Sequence, residues 1–233
     1  MRRKQFMQLV SALRAELGKS VDPAVGVADL PSLKQTIGRV YESLYDSYDW
    51  PHLTRFFPKT TLNAGQRYYD FPDGTDYDKV ERAVVWQNDT PITIERGIDF
   101  EEYAQFDSDA GVRADPVAKW DVRDIDGKPA LEVWPIPSGS GYSVQFKGKI
   151  AFVPLVDDAD LCLLDDQLVV LMCAAELLPR SKSADAQIKL AAAQQRLGMT
   201  KARSKAGTGS IRIGLGKTPR DVLARSVVRV AGR

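Results

Sequence analysis

Arg55-Phe-Phe-Pro-Lys-Thr-Thr-Leu-Asn-Ala-Gly-Gln-Arg-Tyr-Tyr-Asp-Phe-Pro72 is the stretch on which the fold turns. β-Branched and aromatic residues flank Asn63-Ala64-Gly65, and the glycine can take the positive φ that a short hairpin needs. Two strands are expected to pair here. The stretch opens the one region, about Arg55 to Val156, whose pattern reads as continuous β-structure. Farther along, Lys119-Trp-Asp-Val-Arg-Asp-Ile125 alternates apolar and polar residues, Asp126-Gly127 is a favoured type I′ turn, and Leu131-Glu-Val-Trp134 returns. Trp120 and Val122 then share a face. Between the hairpins Val80 to Trp86 leads through Gln87 and Thr90 into Ile92 to Ile94, and Tyr142 to Phe146 adds a late strand before Pro154. That is enough strand for a small antiparallel sandwich or barrel.

Helical patterns flank this region. Phe6, Leu9, Val10 and Leu13 recur at helical spacing within residues 3–17, with Gly18 placed to terminate the helix. After a loop, Asp29 and Pro31 mark the start of a second helix, whose stripe is Leu33, Ile37, Val40, Tyr41, Leu44, Tyr45 and Tyr48. Trp50-Pro51 stops it, because the residue before a proline is pushed out of the α region. Beyond the β-region, Asp165 or Asp166 favours the start of a third helix with Leu168, Leu171, Met172, Ala175 and Leu178 on its apolar face. A fourth, about Ala184 to Leu197, has Ile188, Ala191, Ala192 and Gln195 on one side. The simplest burial for four such stripes is against one another. The expected fold is α+β: helical hairpins at 1–52 and 157–200 forming a four-helix bundle, a β-domain inserted at 53–156, and an extended basic tail at 201–233.

At 233 residues, 44% hydrophobic and 27% charged, the chain can bury roughly 70% of the surface its unfolded form exposes. Cys162 and Cys173 are too few for a disulfide framework and read as two buried thiols. No apolar run approaches the length of a membrane span, and the start lacks the apolar core of a signal peptide. A protein neither secreted by that route nor membrane-spanning is expected. The net charge of +1 hides an asymmetry. From Lys201 onward nine basic residues stand against Asp221 alone, a balance near +8, which leaves residues 1–200 at about −7. Ile211, Ile213 and Leu215 alternate among glycines and basic residues in that tail, a composition suited to adding an arm to a neighbour.

Few constellations suggest chemistry. His52 is the single histidine, no Gly-x-Ser-x-Gly elbow accompanies it, and neither cysteine has a basic partner nearby. Asp124-Ile-Asp126-Gly127 lacks the remaining ligands of a calcium loop, and Gly214-Leu-Gly216-Lys217-Thr218 lacks the leading glycine of a phosphate loop. No catalytic residue, metal site or cofactor is expected. Tyr41, Tyr45 and Tyr48, at helical spacing, read as packing against a helix or the β-domain, within or between subunits. The basic tail could bind nucleic acid or an acidic protein surface.

The order helix, helix, β-domain, helix, helix, tail resembles the head-to-tail adaptor (connector) proteins of tailed bacteriophages, the tail tubular family of short-tailed phages included. The residues that carry the resemblance are Trp50, then Leu62-Asn-Ala-Gly65-Gln66-x-Tyr68-x-Asp70-x-Pro72, then Leu131-x-Val133-x-Pro135-x-Pro137 followed by Tyr142-Ser-Val, and Ala174-Ala-Glu-Leu-Leu178. What the resemblance implies is a virion protein forming a ring of twelve subunits beneath the portal protein. It would extend the channel through which genomic DNA passes and receive a downstream tail, nozzle or neck protein. A terminal extension would dock on the portal, and its candidate residues here are Ile211, Arg212, Ile213, Leu215, Arg220 and Arg225. Another neck ring protein and a nucleic-acid-binding accessory protein are the alternatives.

Overall fold

The computed structural model describes residues 3–22, 24–87, 90–106, 110–181 and 185–206. The chain has a mixed α+β fold, with five α-helices and a curled, mostly antiparallel sheet of eight strands among the described residues. Helices α1 (Phe6–Glu16) and α2 (Leu30–Asp46) precede the sheet, and α4 (Asp166–Leu177) and α5 (Asp185–Ala206) follow it. Gly18 stops α1 at φ +67°, with the Lys19 N–H donating back to the Arg14 carbonyl. The α2 stripe buries Leu33, Ile37, Val40, Tyr41, Leu44 and Tyr45 as its spacing requires.

Helix α4 is the centre of the helical part. Leu168, Val169, Val170, Leu171, Cys173 and Ala174 are all buried, so apolar residues surround it and its single expected face is an understatement. α1, α2 and α5 all pack on it. The core proper comes from α1, α2 and α4 together with Trp50, Leu53, Leu155 and Leu164. Helix α5 adds Ala193 as a fully buried residue, with Ala186 and Leu197 partly buried. The face expected to point inward is turned out, with Ile188 67% exposed. Its inner row is Ala186, Ala193 and Leu197, with Leu190 at the edge of that row and 38% exposed. The helix also continues through Lys201-Ala-Arg-Ser-Lys-Ala206, good helix formers that charge alone had assigned to the tail.

The strands are β1 (Thr54–Phe56), β2 (Thr60–Leu62), β3 (Tyr68–Asp70), β4 (Thr75–Gln87), β5 (Thr90–Arg96), β6 (Lys119–Ile125), β7 (Lys128–Trp134) and β8 (Tyr142–Ile150). They run in the order β1-β8-β4-β5-β6-β7-β3, with β2 also paired to β8. The β4–β5 and β6–β7 pairs are the expected ones, and Asp126 and Gly127 take φ +53° and +76° in the turn. The expected pairing across Asn63–Gly65 does not form. β2 pairs with β8 and β3 with β7, so the 63–67 loop crosses from one end of the sheet to the other. The Tyr69 hydroxyl pins that crossing, receiving the Asn63 N–H at 3.0 Å and lying 3.1 Å from its carbonyl.

Two further features depart from a plain antiparallel meander. Between β5 and β6, a helix α3 (Phe100–Gln105) with a capping box at Asp99 and Glu102 brings β6 back parallel to β5. In β4 the register against β8 shifts on either side of Val80. Gly148 lies opposite, where a Cβ would stand only 3.0 Å from the Val80 Cα and would crowd the shifted backbone. The barrel interior is filled by Trp120, Phe146, Leu62, Val85, Leu131, Val133 and Val144.

Candidate docking surface

α5 is seated by polar contacts more than by apolar burial. Asp165 caps α4 by accepting the Leu168 N–H at 2.8 Å, and the same carboxylate takes Arg196 bidentately at 2.6 and 2.9 Å. Burial disfavours its charge, but the Arg196 and Leu168 hydrogen bonds outweigh this and hold the carboxyl below its ordinary range. Lys189 reaches Glu16 of α1 at 2.5 Å. At the other end the Tyr48 hydroxyl meets the Ser204 hydroxyl at 3.1 Å, and the Lys201 ammonium stands over the Tyr48 ring. Asp165→Ala is expected to cost about 1–2 kcal/mol, from the lost cap and the stranded Arg196. Amide hydrogen exchange should quicken in 185–206, and unchanged exchange there would show that α5 does not depend on this pair.

The tyrosines occupy defined places in one chain. Tyr41 and Tyr45 are buried and share Phe152, at ring distances of 5.2 and 5.3 Å. The Tyr45 hydroxyl donates to Asp76 at 2.6 Å and lies 2.8 Å from the Ile150 carbonyl, tying α2 to the sheet. Burial, with Asp76 beside it, raises this phenol well above the ordinary tyrosine range, and burial, which outweighs the hydrogen bond with the Leu163 backbone, pushes Tyr41 up to about 12. Tyr48 faces α5 and meets Trp50 edge-on. Ile211, Arg212, Ile213, Leu215, Arg220 and Arg225 lie outside the described residues.

An apolar groove runs between α2 and α5 over α4. It holds about 420 Å³ and is floored by Val40, Leu44, Met172, Ala175, Leu190 and Leu197. Arg39 and Glu176 pair across its rim, and Ser47 stands at the end where α5 finishes. Leu190 and Leu197, seven residues apart, were the sequence signal for it, masked by the Ala-rich face beside them.

Residues weighed for chemistry have structural partners. His52 places Nε2 2.9 Å from the Leu163 carbonyl at the surface. Cys162 and Cys173 are buried free thiols, pushed up to about 11 and about 12 by burial. Asp124 accepts the Gly127 N–H within the β6–β7 turn. The charged cluster that sequence reading missed is on the sheet: Glu132, fully buried, is held by Arg67, Arg123 and Tyr103. Glu132 alternates within a strand like any outward residue, so only the fold shows that α3 covers it.

No curated protein matches the chain. A family model described as SU10 adaptor protein matches residues 5–214.

Proposed function

This chain belongs to the SU10 adaptor protein family, a family of phage structural adaptors, and from that premise we propose that it forms a ring attached beneath the portal protein. The family match supports this reading over nearly the whole chain and is the observation that carries it. The match is to this family and not to the tail tubular proteins, so the latter half of the expected resemblance falls away. In our reading about twelve copies close into a ring, with the four long helices packed side by side between neighbours in a heterologous interface. The outward apolar residues of α5, Ile188 and Met199, supply part of that interface. Genomic DNA passes through the ring without specific binding, and a tail, nozzle or neck protein binds below. The role is geometric and needs no catalytic residue or cofactor.

Residues 207–233 are the proposed portal-docking arm, with Ile211, Ile213 and Leu215 available for strand addition and Arg212, Arg220 and Arg225 for acidic patches. Co-sedimentation of the chain with the portal ring of the same genome tests this. Near-stoichiometric binding of twelve chains is expected, with at least a tenfold loss on truncation after Ala206. Absence of binding by the full chain would overturn the adaptor reading. Binding that survives truncation would overturn the role of the arm alone.

A further inference from the structure

The barrel has two outer walls of different character. Phe146 of β8 and Trp120 of β6 meet inside it at a ring distance of 5.3 Å, so the outward faces of β8–β4 and of β6–β7 look away from each other. α3 covers the second, through Tyr103 on Glu132 and the Trp134 indole on the Glu102 carbonyl. The first is bare. Register places Phe56, Lys147 and Arg82 in one outward row across β1, β8 and β4, with Gln145 and Val84 in the next. Phe56 is 74% exposed, and farther along the same face the Lys59 ammonium stands 3.7 Å from the centre of the Trp86 ring. Glu81 is shared by Lys147 and Lys149 at 2.7 and 2.5 Å, whereas Lys59 and Arg82 make no ion pair among the described residues. Four cations stand there against Glu81, with Glu95 on the strand beyond, so the face is basic as well as aromatic.

The covered wall presents the opposite charge. Phe100 opens α3 and is 84% exposed, with Asp99 and Glu101 exposed on either side of it. Lys119 is taken by Glu102, and Arg67 and Arg123 are held by Glu132 behind the helix. Glu101 makes no ion pair among the described residues. The capping box and the two bonds to β7 fix α3, so Phe100 loses little freedom on being covered.

A closed ring joins two different patches of each subunit, and in a ring of about twelve those patches lie about 150° apart around it. The bare wall and α3, on opposite sides of one barrel, are placed for that. On the ring reading above, we propose that α3 of one subunit docks on the bare β8–β4 face of the next, with Phe100 against Phe56 and Val84 and with Glu101 toward Arg82 and Lys147. The occupant is a second copy because the same chain carries the complement, an aromatic group among carboxylates for an aromatic group among cations. The contact joins the β-barrels and adds to the one between helices, so neighbours are held at two levels.

The test is charge exchange at two exposed residues, Arg82→Glu and Glu101→Arg, in the full chain bound to the portal ring of the same genome. Free chains of either variant are expected to melt within about 2 °C of the unaltered chain. Each variant alone is expected to raise the concentration needed to half-fill the portal ring by about tenfold or more, because like charges then meet at every junction. An equal mixture of the two is expected to recover to within about threefold, since chains that alternate round the ring pair opposite charges at every junction. Failure of the unaltered chain to fill the ring would overturn the ring reading and this contact with it. Filling by the unaltered chain, with a loss that mixing does not restore or with no loss in one or both variants, would overturn this contact alone. Loss confined to Arg82→Glu would assign the basic face to another ligand, such as DNA.

Discussion

Glu132→Ala is expected to lower the melting temperature by roughly 6–20 °C, from a loss of about 3–5 kcal/mol. The side chain of Glu132 has no exposure to solvent. Arg67 reaches one carboxylate oxygen at 2.5 and 2.6 Å, Arg123 the other at 2.7 Å, and the Tyr103 hydroxyl both at 2.8 Å. The hydrogen bond to Glu132 comes first among the causes that hold Arg123 more firmly protonated than an ordinary arginine. Removing the carboxylate leaves two guanidinium groups beside each other under Tyr103 and α3, with Asp121, 3.4 Å from Arg123, as the carboxylate that remains. Arg67 and Arg123 keep partial contact with water, at 26% and 39% exposure, which places the cost toward the lower end. Because α3 is fastened by Tyr103 and by the Trp134 indole on the Glu102 carbonyl at 2.8 Å, exchange should also quicken over 100–105. Glu132→Gln, which keeps acceptor and shape but not charge, should fall between. A change in melting temperature below about 2 °C for the alanine variant would show that the arginines find water at no cost.

Trp50→Ala is expected to cost about 3–5 kcal/mol, read by denaturant unfolding. Trp50 is 1% exposed and its indole N–H donates to the Leu44 carbonyl at 2.9 Å, so it satisfies a carbonyl in the last turn of α2 while plugging the helical core. Trp50→Phe separates the two roles. It keeps most of the packing and loses the donor, and should cost about 1–3 kcal/mol. Equal losses for both variants would assign the effect to the hydrogen bond and overturn the packing account.

What could be read from the sequence follows the range of the interactions involved. The β6–β7 hairpin was legible because Asp126-Gly127 fixes its own turn, and α1 and α2 because their stripes face one core. Asn63-Ala64-Gly65 misled because a local turn signal does not choose a strand's partner. β8, about eighty residues beyond β2, and β7, about sixty beyond β3, compete for those strands and win. Helix α3, with six residues, is too short for a period. The inward face of α5 is not legible because alanines read as apolar whether or not they are covered, and because Arg196, Lys189 and Ser204 help Ala193 and Leu197 to seat it. Of the docking surface, Tyr48 is visible on the α2 stripe and Leu190 and Leu197 in the spacing of α5, but the groove they line needs three helices at once.

Tyr45 has a consequence for how load would travel. Its hydroxyl is bound to Asp76, at the start of β4, and to Ile150 at the end of β8, and the Lys79 ammonium donates to its carbonyl at 3.1 Å. Ile150 itself packs against both the helical core and the barrel core. The two bodies therefore share a joint without slack: a twist applied to the sheet turns α2, and through it α4. In the ring we propose, such a subunit would act as a stiff strut, handing an angle set at one face to the opposite face instead of absorbing it in a hinge.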